Sequence, residues 1–281
     1  PLYFGIKDNT LWFCSELVNT FTNIFEKKIS NKCLQFYLRN SYIQNNSIYE
    51  NIKKVEPGSY LVFEQNNLSF FKKKIYWTVS DNINKGNCSN TRLSKFELFE
   101  EIFKKSIEQR LISDRKLGVF LSNGIDSSLV AFYAQNICKD KIDTYTLGFK
   151  DSKFDESKPA STVAKYLGTN HQNIIFEEKN LLEIINKIPQ IYNEPFADSS
   201  QLPTYLISNY VSSNTKVILT GDGADELFYG YDYYRNIYKY RNIIKLALIN
   251  SNFNKLLIKL FNNLNFQKFI GYKKFEQINK I

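Results

Sequence analysis

Residues Leu117 to Ser128, Leu-Gly-Val-Phe-Leu-Ser-Asn-Gly-Ile-Asp-Ser-Ser, restrict what this chain can fold into more than any other stretch. The apolar run Leu117 to Leu121 reads as a buried parallel strand. Small and polar residues then hold a tight turn. A helix follows, with Leu129, Tyr133 and Ile137 at spacings of four. A strand, a small-residue turn and a helix start together make an anion site, because backbone N–H groups converge where the helix dipole favours negative charge. Ser122, Ser127 and Ser128 offer hydroxyl donors, and Gly124 allows close backbone approach. Asp126 does not fit an anion site unaided. A carboxylate among phosphate oxygens is repulsive unless a cation lies between, so Asp126 implies Mg²⁺. The alternative is a plain connection in which Ser and Asp only cap the helix.

Downstream the pattern alternates. Thr144–Phe149, Asn173–Phe176 and Lys216–Thr220 read as strands, and Glu156–Leu167, Leu181–Ile191 and Gln201–Val211 as helices. Alternation of this kind predicts a parallel sheet with helices on both faces, with ligands beyond the carboxyl ends of the strands. Ser122, Gly148 and Gly221 all fall at such ends. Upstream, Phe96, Phe99, Phe103 and Ile107 mark one face of a helix, with Glu100–Lys104 and Glu101–Lys105 as i,i+4 pairs. Residues 80–91 are polar and irregular and read as a linker. Before them the chain reads as mostly strand, with turns at Asp8-Asn9, Asn66-Asn67 and Pro57-Gly58 and a helical tendency over Leu17–Arg39. After Tyr231 two helical patterns remain, Tyr233–Ile249 and Leu256–Phe269.

Ser122–Ser128 resembles the SGGxDSS pyrophosphate loop of the asparagine synthetase (glutamine-hydrolysing) family. Leu219–Tyr231 is similar to that family's SGxGxDExFGGY motif, and Glu194–Thr204 to a further segment of it. The resemblance implies an adenine-nucleotide alpha-hydrolase-like (PP-loop) α/β domain over residues 92–281, incomplete at its carboxyl end. It implies a smaller, mainly β end of a glutaminase domain over residues 1–79, for which Leu2-Tyr3, Ser15-Glu16 and Pro57-Gly58 are the landmarks. It further implies ATP and Mg²⁺ as cofactors. Asp126, Asp222 and Asp225 would be the working carboxylates, with Asp126 and Asp225 on the metal and Asp222 near the α-phosphate or the acceptor. Leu121, Leu147, Thr220 and Gly221 match positions that contact adenine, beside the phosphate loop Ser122, Asn123, Gly124, Asp126, Ser127 and Ser128. Asp155, Glu156 and His171 also match, and are assigned to structure. The alternative for Asp222 and Asp225 is helix capping.

The reaction so implied activates a carboxylate as an acyl-adenylate with release of pyrophosphate, then amidates it with ammonia drawn from glutamine. Asparagine from aspartate is the default product. Asp198–Thr204 contains no arginine for an aspartate substrate, which keeps a sugar-acid acceptor open, and a non-catalytic ATP-binding remnant is the third reading. Asn123 stands where the family has glycine, and the family's downstream lysine and RxPFLD-like segment are not recognisable after Tyr240. With Pro1 first and no methionine anywhere, the chain reads as a fragment or processed segment.

Composition narrows the rest. The chain has 37 basic and 28 acidic residues, a formal charge of +9, but the lysines are scattered, so nucleic acid is not expected as a partner, while the resemblance implies small-molecule substrates. The basic, apolar carboxyl-terminal patterns read as exposed helix faces rather than a membrane-surface helix, and no run is long enough to span a bilayer. Four cysteines without CxxC spacing read as reduced thiols of a cytoplasmic protein. A single histidine argues against a Ser-His-Asp triad and a multi-histidine metal site. A homo-oligomer is compatible with the sequence, which does not fix the oligomeric state.

Overall fold

A computed structural model of the chain describes residues 1–17, 21, 23–85, 94–150 and 155–242. The helical pattern Leu256–Phe269, the end of Tyr233–Ile249, Cys88 and residues 86–91 of the expected linker lie outside them.

The first part is built from short antiparallel pairs. β1 (Tyr3–Lys7) and β2 (Thr10–Cys14) form a hairpin, which β3 (Lys53–Lys54) extends on the β1 side; α1 (Asn31–Asn40) lies between them in sequence. Asp8 and Asn9 both have positive φ, 49° and 53°, as a two-residue turn matched to strand twist requires. β4 (Ser59–Glu64) pairs with β5 (Asn67–Ile75). Their turn is Gln65-Asn66, one residue earlier than Asn66-Asn67, and the register shifts between Phe63 and Glu64. Tyr3, Leu17, Phe21, Phe25 and Ile52 form this part's core.

α2 (Val79–Lys85) occupies the start of the stretch that reads as irregular. The Thr78 hydroxyl accepts the Asp81 N–H at 3.1 Å, and Asp81 lies in the first turn, so capping starts a helix despite the polar composition. α3 (Lys95–Arg110) begins with a reciprocal capping box between Ser94 and Glu97. Its inner face is narrower than the Phe96–Ile107 pattern, because Phe96 is exposed while Phe103 and Ile107 reach the core. Glu100 accepts the Tyr133 hydroxyl at 3.2 Å.

The remaining elements follow as β6 (Leu117–Phe120), α4 (Ile125–Ile137), β7 (Asp143–Phe149), α5 (Ser157–Leu167), β8 (Asn170–Phe176), α6 (Glu178–Ile185), α7 (Ile188–Ile191), α8 (Gln201–Val211), β9 (Val217–Leu219), α9 (Ala224–Phe228) and α10 (Asp232–Lys239). The strands make one parallel sheet in the order β8-β7-β6-β9. Helices cover both faces, as expected. Val119 of β6 packs with Ile107, Val130, Ala131, Ala134, Ala160 and Ala164 from α3, α4 and α5. Tyr145 and Ile174 pack with Ile207 and Val211 of α8 on the other face. Small alanines on α4 and α5 let those helices approach the sheet closely, which is why the α4 start can sit against the strand ends.

Two elements differ from the sequence reading. β8 starts at Asn170 rather than Asn173, because polar residues there find partners on β7. Asn170 donates to Asp143 at 2.6 Å, and the His171 ring meets the Thr144 hydroxyl at 3.0 Å. Leu181–Ile191 is two helices, with Pro189 at the start of the second, where its missing N–H costs nothing. At the amino edge of the sheet, Asp143 also binds Lys116 at 2.5 Å and accepts the Tyr145 hydroxyl at 3.2 Å. Burial pushes the Asp143 carboxyl up, but its hydrogen bonds from Lys116 and Asn170, with lesser help from Tyr145, outweigh this and hold it below the ordinary carboxylate value.

Candidate functional site

β6 and β9 are neighbours, so the turns that leave them, 121–124 and 220–223, emerge side by side at the carboxyl edge of the sheet. Gly221 makes their contact close. A Cβ there would lie 2.8 Å from the Ser127 nitrogen and 3.1 Å from both the carbonyl carbon and the Cβ of Asp126. Only a residue without a side chain lets the 220–223 turn rest on the first turn of α4.

The first of these turns is held together by its own hydroxyls. Ser127 Oγ accepts the Ser122 N–H at 3.1 Å, and the two hydroxyls lie 2.8 Å apart. Ser122 Oγ accepts the Gly124 N–H at 3.0 Å, and Ser128 Oγ donates to the Gly124 carbonyl at 2.7 Å. These bonds shape the turn without closing the helix start. Gly124 is the N-cap of α4 and no side chain caps the helix, so its first N–H groups point toward the sheet edge as an anion site requires. Asn123 is exposed and is not among the residues of positive φ, so the turn does not require glycine at that position. Its N–H donates to Glu156 Oε2 at 3.3 Å, a contact that sequence reading missed. The acidic pair Asp155-Glu156 was the available signal. Asp155 does serve structure, accepting the Ser157 N–H and hydroxyl at 3.1 and 2.9 Å.

Asp126 lies against Gly221, four residues before Asp225, and the two carboxylates interact electrostatically. Burial first, and then the negative charge of Asp225, push the Asp126 carboxyl above its ordinary value. Gly230, in the turn after α9, packs against the Asp225 carboxylate: a Cβ there would stand 1.8 Å from Asp225 Oδ1, and the Gly230 N–H donates to the Asp225 carbonyl at 3.0 Å. Asp222 is exposed, in a turn where its N–H donates to the Thr220 hydroxyl at 3.3 Å, and Gly223 follows at φ 89°. Among the described residues no group of three or more His, Cys, Asp or Glu is placed to hold a metal by itself. Two carboxylates beside an anion-binding helix start nonetheless suit Mg²⁺, which takes one or two protein carboxylates and completes its shell with phosphate oxygens and water.

The adenine candidates separate. Leu147 and Thr220 are half-buried and exposed, but Leu121 is 2% exposed and packs under α4, and its N–H donates to the Tyr145 carbonyl at 2.8 Å. Its carbonyl accepts the Thr146 hydroxyl at 2.5 Å. His171 stays outside the site, with Nε2 against Asn173 at 3.0 Å, and burial lowers its pKa below the ordinary value. An open hollow of about 430 Å³ along α1, lined by Cys33, Phe36, Arg39 and Ile43 among others, shares no residue with the site. No helix among the described residues is long and apolar enough to cross a membrane.

Comparison with known proteins bears on the same stretches. Residues 98–274 match the family described as asparagine synthase, and residues 1–77 the glutamine amidotransferase domain. A putative glutamine-hydrolysing asparagine synthetase 2 of Methanocaldococcus jannaschii is 33% identical over 254 residues, covering 88% of this chain and 48% of that protein. Glutamine-hydrolysing asparagine synthetase 1 of Bacillus subtilis is 28% identical over 240 residues, covering 84% of this chain and 36% of that protein. The chain thus spans half or less of the length of these relatives. Among solved structures, an NH3-dependent NAD synthetase from Campylobacter jejuni aligns with 49% of this chain and 61% of its own at TM-score 0.35 and 18% identity.

Proposed function

The chain belongs to the asparagine synthase family, and from that premise we propose that it carries the ATP-dependent part of an amide ligase. The observation that carries this reading is Asp126, set in the first turn of α4, whose start no side chain caps, and packed against Gly221 of the turn that leads to Asp225. A carboxylate kept at an anion-binding helix start against a second carboxylate is poorly placed for capping and well placed for a cation shared with phosphate.

In this reading the α4 N–H groups, with the Ser122, Ser127 and Ser128 hydroxyls, bind the pyrophosphate portion of ATP. Asp126 and Asp225 would hold Mg²⁺, which would neutralise the departing pyrophosphate. Leu147, Thr220, Gly221 and the Leu121 backbone border the adenine. Asp222, exposed at the end of β9, faces the α-phosphate or the acceptor. The acceptor carboxylate attacks the α-phosphorus, pyrophosphate leaves, and ammonia then displaces AMP from the acyl carbon. Gly221 brings both turns within contact, so nucleotide and acceptor meet over one edge rather than across a gap.

Residues 1–79 are the end of a glutaminase domain and 92–281 the synthetase domain. Aspartate is the default acceptor, with asparagine as product. The absence of arginine from Asp198–Thr204 favours testing a sugar acid as the second acceptor. The experiment is pyrophosphate release from ATP by the chain with Mg²⁺ and ammonia, comparing aspartate, sugar acids and no acceptor. Acceptor-dependent release supports the ligase. ATP binding without release under any acceptor would instead support a nucleotide-binding remnant.

A further inference from the structure

Residues 192–200 contain neither helix nor strand, so contacts with other elements must fix their path. Those contacts come from the first part of the chain. Glu194 Oε1 accepts the Ile48 N–H at 2.7 Å, and Oε2 accepts the Tyr3 hydroxyl at 3.1 Å and pairs with the Lys54 ammonium. The Glu194 and Lys54 side chains are only 9% and 12% exposed, and Lys54 is itself held by the Ile43 carbonyl at 3.0 Å. On either side, Asn193 Oδ1 accepts the Leu17 N–H and the Ala197 N–H donates to the Ser41 carbonyl, each at 2.7 Å.

The segment leads into α8, and the direction of α8 locates it. Thr215, just after α8, meets the Tyr145 hydroxyl at 2.6 Å near the amino end of β7. The start of α8 therefore lies toward the carboxyl edge of the sheet, the edge where turns 121–124 and 220–223 emerge. Here a buried charge with three donors anchors an irregular strip at the margin of the site. Such a charge is firmly placed while all its partners remain, and costly once one is removed.

We propose that Glu194 is a positioning residue, whose carboxylate clamps residues 193–200 to β1, β3 and the Ile48 amide and so fixes the acceptor-side margin of the nucleotide site. The acceptor role of that margin rests on the ligase reading above; the clamp does not. Through it, the amino-terminal part sets the position of the margin directly, without a moving element between them.

The test is hydrogen exchange on the 281-residue chain and on its Glu194→Gln and Tyr3→Phe variants, with acceptor titrations in the pyrophosphate assay. Glu194→Gln keeps the shape but sets an uncharged group against Lys54. Amides of 193–204 should exchange at least about tenfold faster in Glu194→Gln, and less so in Tyr3→Phe, with 117–128 unchanged. KM for the acceptor should rise while KM for ATP holds. Unchanged exchange over 193–204 in both variants overturns the clamp. So does equal acceleration over 117–128, which would mean general loosening. If Glu194→Gln does not fold, Tyr3→Phe decides by the same criterion. If the parent releases no pyrophosphate with any acceptor, the ligase reading fails while the exchange result still judges Glu194.

Discussion

Gly221→Ala should damage the site by forcing its two turns apart. The new Cβ would meet the Ser127 nitrogen at 2.8 Å and the Asp126 carbonyl carbon and Cβ at 3.1 Å. Two of these atoms are backbone at the start of α4, which is braced through Val130, Ala131 and Ala134 against the sheet. They cannot rotate away, so the 220–223 turn must lift by a few tenths of an ångström or more. Overpacking of this kind costs about 1–3 kcal/mol. At roughly 2–4 °C per kcal/mol for a domain of this size, the melting temperature should fall by about 2–12 °C. Displacing the turn also parts Asp225 from Asp126, so Mg²⁺-ATP affinity should fall by at least about tenfold, roughly 1.4 kcal/mol. Gly124→Ala is the control for stability, because its Cβ meets only the Ser122 and Ser127 hydroxyl oxygens, at 3.1 and 3.9 Å. The assay is a thermal melt of each variant with a titration of ATP in the presence of Mg²⁺. A Gly221→Ala chain that melts with the parent and binds ATP equally well would refute the contact between the turns as the basis of the site.

Asp126→Asn should remove the Mg²⁺ stimulation of ATP binding, a loss of about tenfold or more, with the fold kept. In the parent, that stimulation should fade on acidification at a pH above the ordinary carboxylate value of about 3.9, since burial and Asp225 raise the Asp126 pKa; a variant still stimulated by Mg²⁺ would return Asp126 to helix capping. Asp143 should contribute to acid stability with the opposite sign. Its folded pKa is depressed, so its contribution is complete above the unfolded value of about 3.9 and is lost as the pH falls through the folded value. Melting curves of Asp143→Asn against pH should be flatter than the parent's below about pH 4, and coincident curves would dismiss Asp143 as a source of the acid dependence. Asn123→Gly should change ATP affinity by no more than about 0.5–1 kcal/mol, the entropy of an added glycine, because Asn123 is exposed and free of positive φ; a large loss in the titration would identify the Asn123 amide as a ligand. The 281-residue chain should release no glutamate from glutamine. Cys33 is buried, burial and Asp140 push the Cys138 thiol up, and the His171 ring is bound to Thr144 and Asn173. Sustained release mapping to one cysteine would show otherwise.

The parallel sheet and its loops were legible because strand, turn and helix there follow local rules. The apolar run of β6 gives way to small residues and then to a period of four, and Asp8-Asn9 states its turn type outright. Legibility failed where pairing was decided at a distance. The polar start of β8 is a strand because Asp143 and Thr144 supply partners, which no window around Asn170 reveals. The β4–β5 turn moved by one residue because the register slips at Phe63 and Glu64. Pro189 was readable as a break within Leu181–Ile191, and the apolar period concealed it. Glu156 and Glu194 could not be given partners from the sequence, since Asn123, Tyr3, Ile48 and Lys54 all lie far along the chain. At the loop itself, the nearness of Asp126 to Asp225 depends on β6 and β9 lying side by side.

That adjacency also has a temporal side. Leu117 pairs with Val217, so joining the two strands closes a loop of about a hundred residues, an entropic cost met before the pairing returns anything. During synthesis the stretch from β6 to β8 has its neighbours available early, as soon as each helix crosses back. The half of the candidate site on β9 must wait until α8 has been made and β9 has emerged behind it. A chain interrupted before Asp225 would therefore present a shaped turn at 122–128 with one carboxylate and no counterpart, and the proposed site would come into being at once, late, when β9 docks.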